Sequence, residues 1–189
     1  MNCRVSLLAM ASICGAILAC QSGCGYQSSE AAKAEQQRER AVKEVKKYGG
    51  EYQADSSLPG NPVVRIDLEN KKVIDASLAA FSELDDLRSL SLEGTFVTDD
   101  GLQYLKNLPH LQKLELGDNN ISDAGLRFLE GLAELQVLSL SDTRITDGGL
   151  PSLSKLTKLQ KLYLSGCHGV TAAGVKKLQQ LLPWCEIKK

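Results

Sequence analysis

From Val63 onward the apolar residues of this chain recur with a period of 24. Leu87, Leu111, Leu135 and Leu159 open successive units, and Leu90, Leu114, Leu138 and Leu162 follow three positions later. Leu92, Leu116, Leu140 and Leu164 come two residues after that. A spacing of two is strand periodicity and turns both side chains to one face. Beyond the strand, Val73, Val97, Ile121, Ile145 and Val170 return to the apolar side. Thr98-Asp99, Ser122-Asp123 and Thr146-Asp147 come next, with Thr171-Ala172 as the last counterpart. A hydroxyl followed by a carboxylate predicts a helix start: the hydroxyl accepts from an orphan amide and the negative charge suits the helix dipole. Leu102, Leu105 and Leu108, like Leu126, Leu129 and Leu132, then recur at helical spacing. Each unit predicts strand, turn, short helix and return.

Five such units begin at Val63, Leu87, Leu111, Leu135 and Leu159, the last lengthened by one residue around Cys167-His168-Gly169. Trp184 and Ile187 fall on the first and second leucine columns. They predict a sixth strand, with Trp184 sealing the core and Lys188 and Lys189 blunting the edge. No single unit can bury its own leucines, so a period of this length marks stacked units.

The pattern resembles the leucine-rich repeat, L-x-x-L-x-L-x-x-N/C-x-L, and most closely its 24-residue bacterial variety with a recurring T-D-x-G-L. Thr95, Asn119, Thr143 and Cys167 occupy the N/C column, whereas Lys71 departs from it. The resemblance implies an α/β fold over residues 63–189: a curved solenoid with a parallel sheet inside and short helices outside.

Residues 1–62 carry a different pattern. Arg4 precedes an uncharged stretch from Val5 to Ala19, about 15 residues and short for a membrane-spanning helix. It ends in Ile17-Leu18-Ala19-Cys20, which resembles the bacterial lipobox. The resemblance implies a signal peptide over 1–19, lipid attachment at Cys20, and an exported protein anchored in the cell envelope, on its periplasmic or outer-membrane face. An ordinary signal peptide and an uncleaved anchor are the alternatives. Cys24 lacks the aliphatic residue at −3 and fits less well.

Residues 20–37, small, polar and charged, predict a flexible tether. Over 38–62 the chain predicts a cap. Ala41, Val45 and Tyr48 form one apolar helical stripe ended by Gly49-Gly50, Glu51–Ala54 reads as a short strand, and Leu58–Pro62 as a loop. A cap shields the exposed leucines of the first unit. Lys43, Lys46 and Lys47 admit a second reading as a patch for anionic lipid, opposed by Glu39 and Glu44 among them.

The charge balance changes little in this picture. Twenty-two basic and 23 acidic residues give a net charge of −1, with the signs interspersed, so nothing points to nucleic acid. No HExxH, GxSxG, phosphate loop or paired CxxC occurs, and the sequence predicts no enzyme, metal or cofactor. Asp99, Asp123 and Asp147 obey the repeat, which marks them as structural; a catalytic group would break it. Cys167 and Cys185 are either free thiols or, in an oxidising compartment, a disulfide.

The concave face is left as the functional candidate. Its variable strand positions carry Arg65, Lys113, Glu115, Lys161 and Tyr163, with Arg88 beside them. Tyr and Arg often anchor interfaces. The expectation is a non-catalytic module that binds another protein through this face; the alternative is a structural envelope component with no specific ligand.

Overall fold

A computed structural model describes residues 25–189, with side chains from residue 29. The expected signal peptide, the lipid-attachment residue Cys20 and Cys24 lie outside the described residues. Six parallel strands stack in chain order: β2 (Val63–Asp67), β3 (Ser89–Ser91), β4 (Lys113–Glu115), β5 (Val137–Ser139), β6 (Lys161–Tyr163) and β7 (Glu186–Lys188). A further strand, β1 (Glu51–Ala54), pairs antiparallel with β2. The fold is an α/β leucine-rich-repeat solenoid.

Its register follows from the 24-residue period. Ile66, Leu90, Leu114, Leu138, Leu162 and Ile187 are consecutive partners across the sheet, and the first five have no solvent exposure. The leucine columns merge into one continuous core. Each fully buried Leu contributes about 1.5–3 kcal/mol relative to exposure, and only stacking buries it.

Opposite the sheet lie short helical elements: a 3-10 turn (Asp75–Ala80), α2 (Asp99–Leu102), α3 (Asp123–Leu126), α4 (Leu150–Leu153) and the longer α5 (Ala172–Leu181). Thr98, Ser122 and Thr171 cap α2, α3 and α5 through their hydroxyls, as the pattern predicts. α4 starts later than its Thr146-Asp147 signal, at Leu150. Gly148 and Gly149 intervene, and glycine is a poor helix former.

The N-terminal helix, α1, spans Gly25–Lys47. Residues 25–37 are therefore helical rather than tether, and the helix begins well upstream of Arg38. The reason is local: Glu30–Arg38 is Ala, Glu, Lys, Gln and Arg, all good helix formers, and Glu35 pairs with Arg38 at 2.7 Å. Its last turns fit the solenoid. Ala41 and Val45 are fully buried, and the Tyr48 hydroxyl bonds Ser77 Oγ at 2.8 Å.

The last strand corrects a further expectation. Trp184 is 57% exposed and does not seal the core; Cys185, 2% exposed, does. In the four units from Leu87 onward the residue entering the strand donates its amide to a core leucine three positions back: Leu87→Leu84, Leu111→Leu108, Leu135→Leu132 and Leu159→Leu156. Leu182 is the core residue of the last return, and Cys185 donates to it. The turn geometry, not the count from the preceding leucine, selects the inward residue. Cys167 and Cys185 are both buried free thiols, so the disulfide option falls. Burial pushes the Cys185 thiol up to about 11, with Glu186 adding to the shift.

Candidate protein-binding surface

Two internal ladders hold the sheet face in place. The first runs through the N/C column. Asn119 Nδ2 donates to the carbonyls of Leu92 (2.7 Å), Leu116 (3.1 Å) and Gly117 (2.9 Å). Its Oδ1 accepts from Thr95 Oγ1 at 2.8 Å and from the Val97 amide at 3.3 Å. Thr143 Oγ1 donates to the Leu140 carbonyl at 2.6 Å, and Cys167 Sγ reaches the same carbonyl at 2.9 Å. Buried carbonyls that the turn would orphan are thereby satisfied.

The second ladder explains the T-D-x-G-L motif. Asp75, Asp99, Asp123 and Asp147 each accept two bonds from the next unit, at the backbone amide and hydroxyl of Thr98, Ser122, Thr146 and Thr171. A Cβ on Gly101, Gly125, Gly149 or Gly174 would overlap the Oδ1 of that same aspartate. The motif is an inter-unit clasp whose glycine makes room for the neighbour's carboxylate. The bonds from Thr171 hold the Asp147 carboxyl below its ordinary range, with Lys177 and Lys189 adding to the effect. The sequence shows these aspartates as helix starters; their second role needs the stacking.

On the face turned away from the core, Arg65, Lys113 and Lys161 share one row with Ser89, Val137 and Glu186. Adjacent strands lie about 4.8 Å apart, so Lys113 and Lys161 are separated by roughly 10 Å. The structure pairs most of the candidate charges internally. Arg65 meets Asp67 at 3.5 Å and Lys113 meets Glu115 at 2.9 Å, each along its own strand. Arg88 precedes β3 and turns to Asp55 at 3.7 Å. Ser57, through its hydroxyl and then its amide, keeps the Asp55 carboxyl low, and Arg88 contributes. Lys161 is exposed, and Tyr163 lies under Lys188, whose Nζ is 5.4 Å from the ring centre. Ser91 and Ser139, in the same row as Glu115 and Tyr163, are buried at 5% and 9%.

Acidic groups gather along one edge of this face. Burial, and then the neighbouring Glu69, Glu115, Asp118 and Asp142, raise the Glu93 carboxyl. On the flank beyond, a shallow groove of about 600 Å³ is lined by Phe96, Asn120, Arg144 and His168 among others. Phe96 is 61% exposed and Ile74 51%. Neither stood out in the sequence: Phe96 occupies a turn position that the repeat leaves variable, and Ile74 replaces the hydroxyl residue that the later units carry before their aspartate or alanine.

Known proteins support the architecture. The leucine rich repeat family model matches residues 109–168. An internalin (inlF) from Listeria monocytogenes superposes with a TM-score of 0.58 at 22% identity, over 82% of this chain and 42% of that one. The leiomodin-1 actin-binding site 2 structure gives a TM-score of 0.53 at 19% identity, over 76% of this chain and 86% of that one. A Leptospira interrogans leucine-rich-repeat protein gives 0.47 at 24% identity, over 59% and 27%. The chain thus spans less than half the length of the Leptospira and Listeria structures. No curated protein matches the chain in sequence. The family match over residues 109–168 and the fold shared with the internalin agree with a leucine-rich-repeat solenoid.

Proposed function

We propose that this protein is a non-catalytic binding module that holds a protein partner on the concave face of its sheet, anchored in a bacterial envelope through lipid on Cys20. The observation that carries the reading is the sheet itself. Six strands in one register present Arg65, Lys113, Lys161 and Tyr163 from a backbone fixed by the core and both ladders. A preorganised backbone lowers the ordering cost of binding. The envelope location rests on the lipobox-like Ile17–Cys20 sequence.

A structural role without a specific ligand is the second reading. It is favoured by the internal pairs Arg65–Asp67 and Lys113–Glu115, which leave part of the face self-satisfied. Affinity capture from native envelope extract separates the two, comparing the full chain with a variant carrying R65A, K113A and Y163A. Circular dichroism first establishes that both are folded. The binding reading expects a protein retained by the parent and lost by the variant. Identical captures, or none, favour the structural role.

A further inference from the structure

The charged strands of the sheet face follow one rule, and one strand breaks it. On β2, β4 and β7 the two outward residues carry opposite charge and bond to each other: Arg65 to Asp67, Lys113 to Glu115, and Lys188 to Glu186 at 3.3 Å. β6 has Lys161 at the basic position, but Tyr163 stands where the acid would be. The Lys161 ammonium is exposed and makes no ion pair or hydrogen bond among the described residues; the backbone amide of Lys161 donates to the Gln136 carbonyl. The neighbouring β5 offers only Val137 and Ser139 at the matching positions. Glu186, opposite Lys161 on β7, is engaged with Lys188, and Lys188 also covers the Tyr163 ring.

We infer that β6 is the anchor point of the face, and that it takes an acidic segment of a protein partner: a carboxylate for Lys161 beside an aromatic or aliphatic side chain for Tyr163 and Val137. The inference rests on the concave-face reading above and narrows it to one strand and one chemistry. Its physical basis is charge complementarity. At β2 and β4 an incoming carboxylate meets an ammonium or guanidinium already neutralised, and must compete with a carboxylate held by the same strand. At Lys161 no such competitor sits on the strand, and the carboxylate gains an unshared counter-charge. The half-buried Tyr163 and Val137 provide apolar area at that point without the ordering cost of a flexible side chain.

Fluorescence anisotropy with the full chain tests this. The probe is a labelled peptide of repeated Glu-Phe-Gly units, with Lys-Phe-Gly and Glu-Ser-Gly peptides as controls. The Glu-Phe-Gly peptide is expected to bind above both controls and to weaken as salt screens the contact. K161E is expected to weaken it by about tenfold or more, K161R to retain it, and K113E, on an internally paired strand, to weaken it less than K161E does. Binding no better than the Lys-Phe-Gly control, or binding that survives K161E, overturns the anchor. K161E in the capture experiment tells the two proposals apart. A partner lost by the triple variant but kept by K161E overturns the anchor and leaves the concave-face reading standing. A partner kept by both variants overturns the concave-face reading and the anchor with it.

Discussion

Asp123 and Thr146 belong to different repeats, yet they are joined twice: Asp123 Oδ1 accepts from the Thr146 amide at 2.8 Å and Oδ2 from its hydroxyl at 2.6 Å. The clasp is directional. Each unit offers a hydroxyl backward and a carboxylate forward, and the ends are marked accordingly. Ile74 stands in the hydroxyl column of the first unit and Ala172 in the aspartate column of the last. Neither has a neighbouring clasp to complete on that side.

Because Asp123 occupies the space above Gly149, Gly149→Ala is expected to destabilise the fold by about 1–3 kcal/mol, the range for overpacking a fitted site. A glycine-to-alanine change at the start of an ordinary helix would stabilise it, through propensity. Urea unfolding of the two proteins gives the sign. An unchanged or raised midpoint would mean that the aspartate moves aside at little cost.

Asn119 serves three buried carbonyls and takes two donors. Asn119→Ala leaves those groups without partners and is expected to cost roughly 2–4 kcal/mol, since each buried orphan carries about 1–3. Thr143→Ala removes a smaller share of its ladder and should cost less. Equal losses in denaturant titrations would contradict this division.

Glu93 and Asp147 predict opposite pH responses. The Glu93 carboxyl is raised from 4.5 by burial and by neighbouring acids. The protonated form is therefore favoured by folding. Its contribution is present below the unfolded pKa and is lost as pH rises through the folded one. Asp147 is lowered from 3.8 by its bonds from Thr171. Its contribution is present above the unfolded pKa and is lost as pH falls through the folded one. Thermal melts of Glu93→Gln should therefore show a gain over the parent at pH 7 that disappears near pH 3. A gain that persists in acid would assign the effect to packing instead of charge.

Val45 on α1 is fully buried against the first repeat. Val45→Asp would bury an unpaired carboxylate or force the helix off the core, at a cost of several kcal/mol. The expected result is exposure of the first unit's apolar surface, read as increased binding of a hydrophobic dye together with a lower melting temperature. An unchanged melt would show that the solenoid stands without its cap.

Much of the candidate surface was legible in the residues and part was not. The row occupied by Arg65, Lys113 and Lys161 follows from the strand alternation alone. That Arg65 and Lys113 are neutralised along their strands while Lys161 is not depends on where flexible side chains settle on a twisted sheet. Arg88 shows the same limit, since its partner Asp55 lies in a loop after β1 with no fixed place in the repeat.

By itself the sequence determined the repeat length, the strand-then-helix order of each unit and the identity of the buried leucine columns. Those properties recur every 24 residues and add along a stack in which each unit meets only its neighbours. Tertiary structure alone decided what joins the units and what closes the ends. The clasp from Asp123 to Thr146 exists only when one turn rests on the next. The choice of Cys185 over Trp184 was made by the turn from Leu182, where the chain has a neighbour on one side and periodicity no longer constrains it.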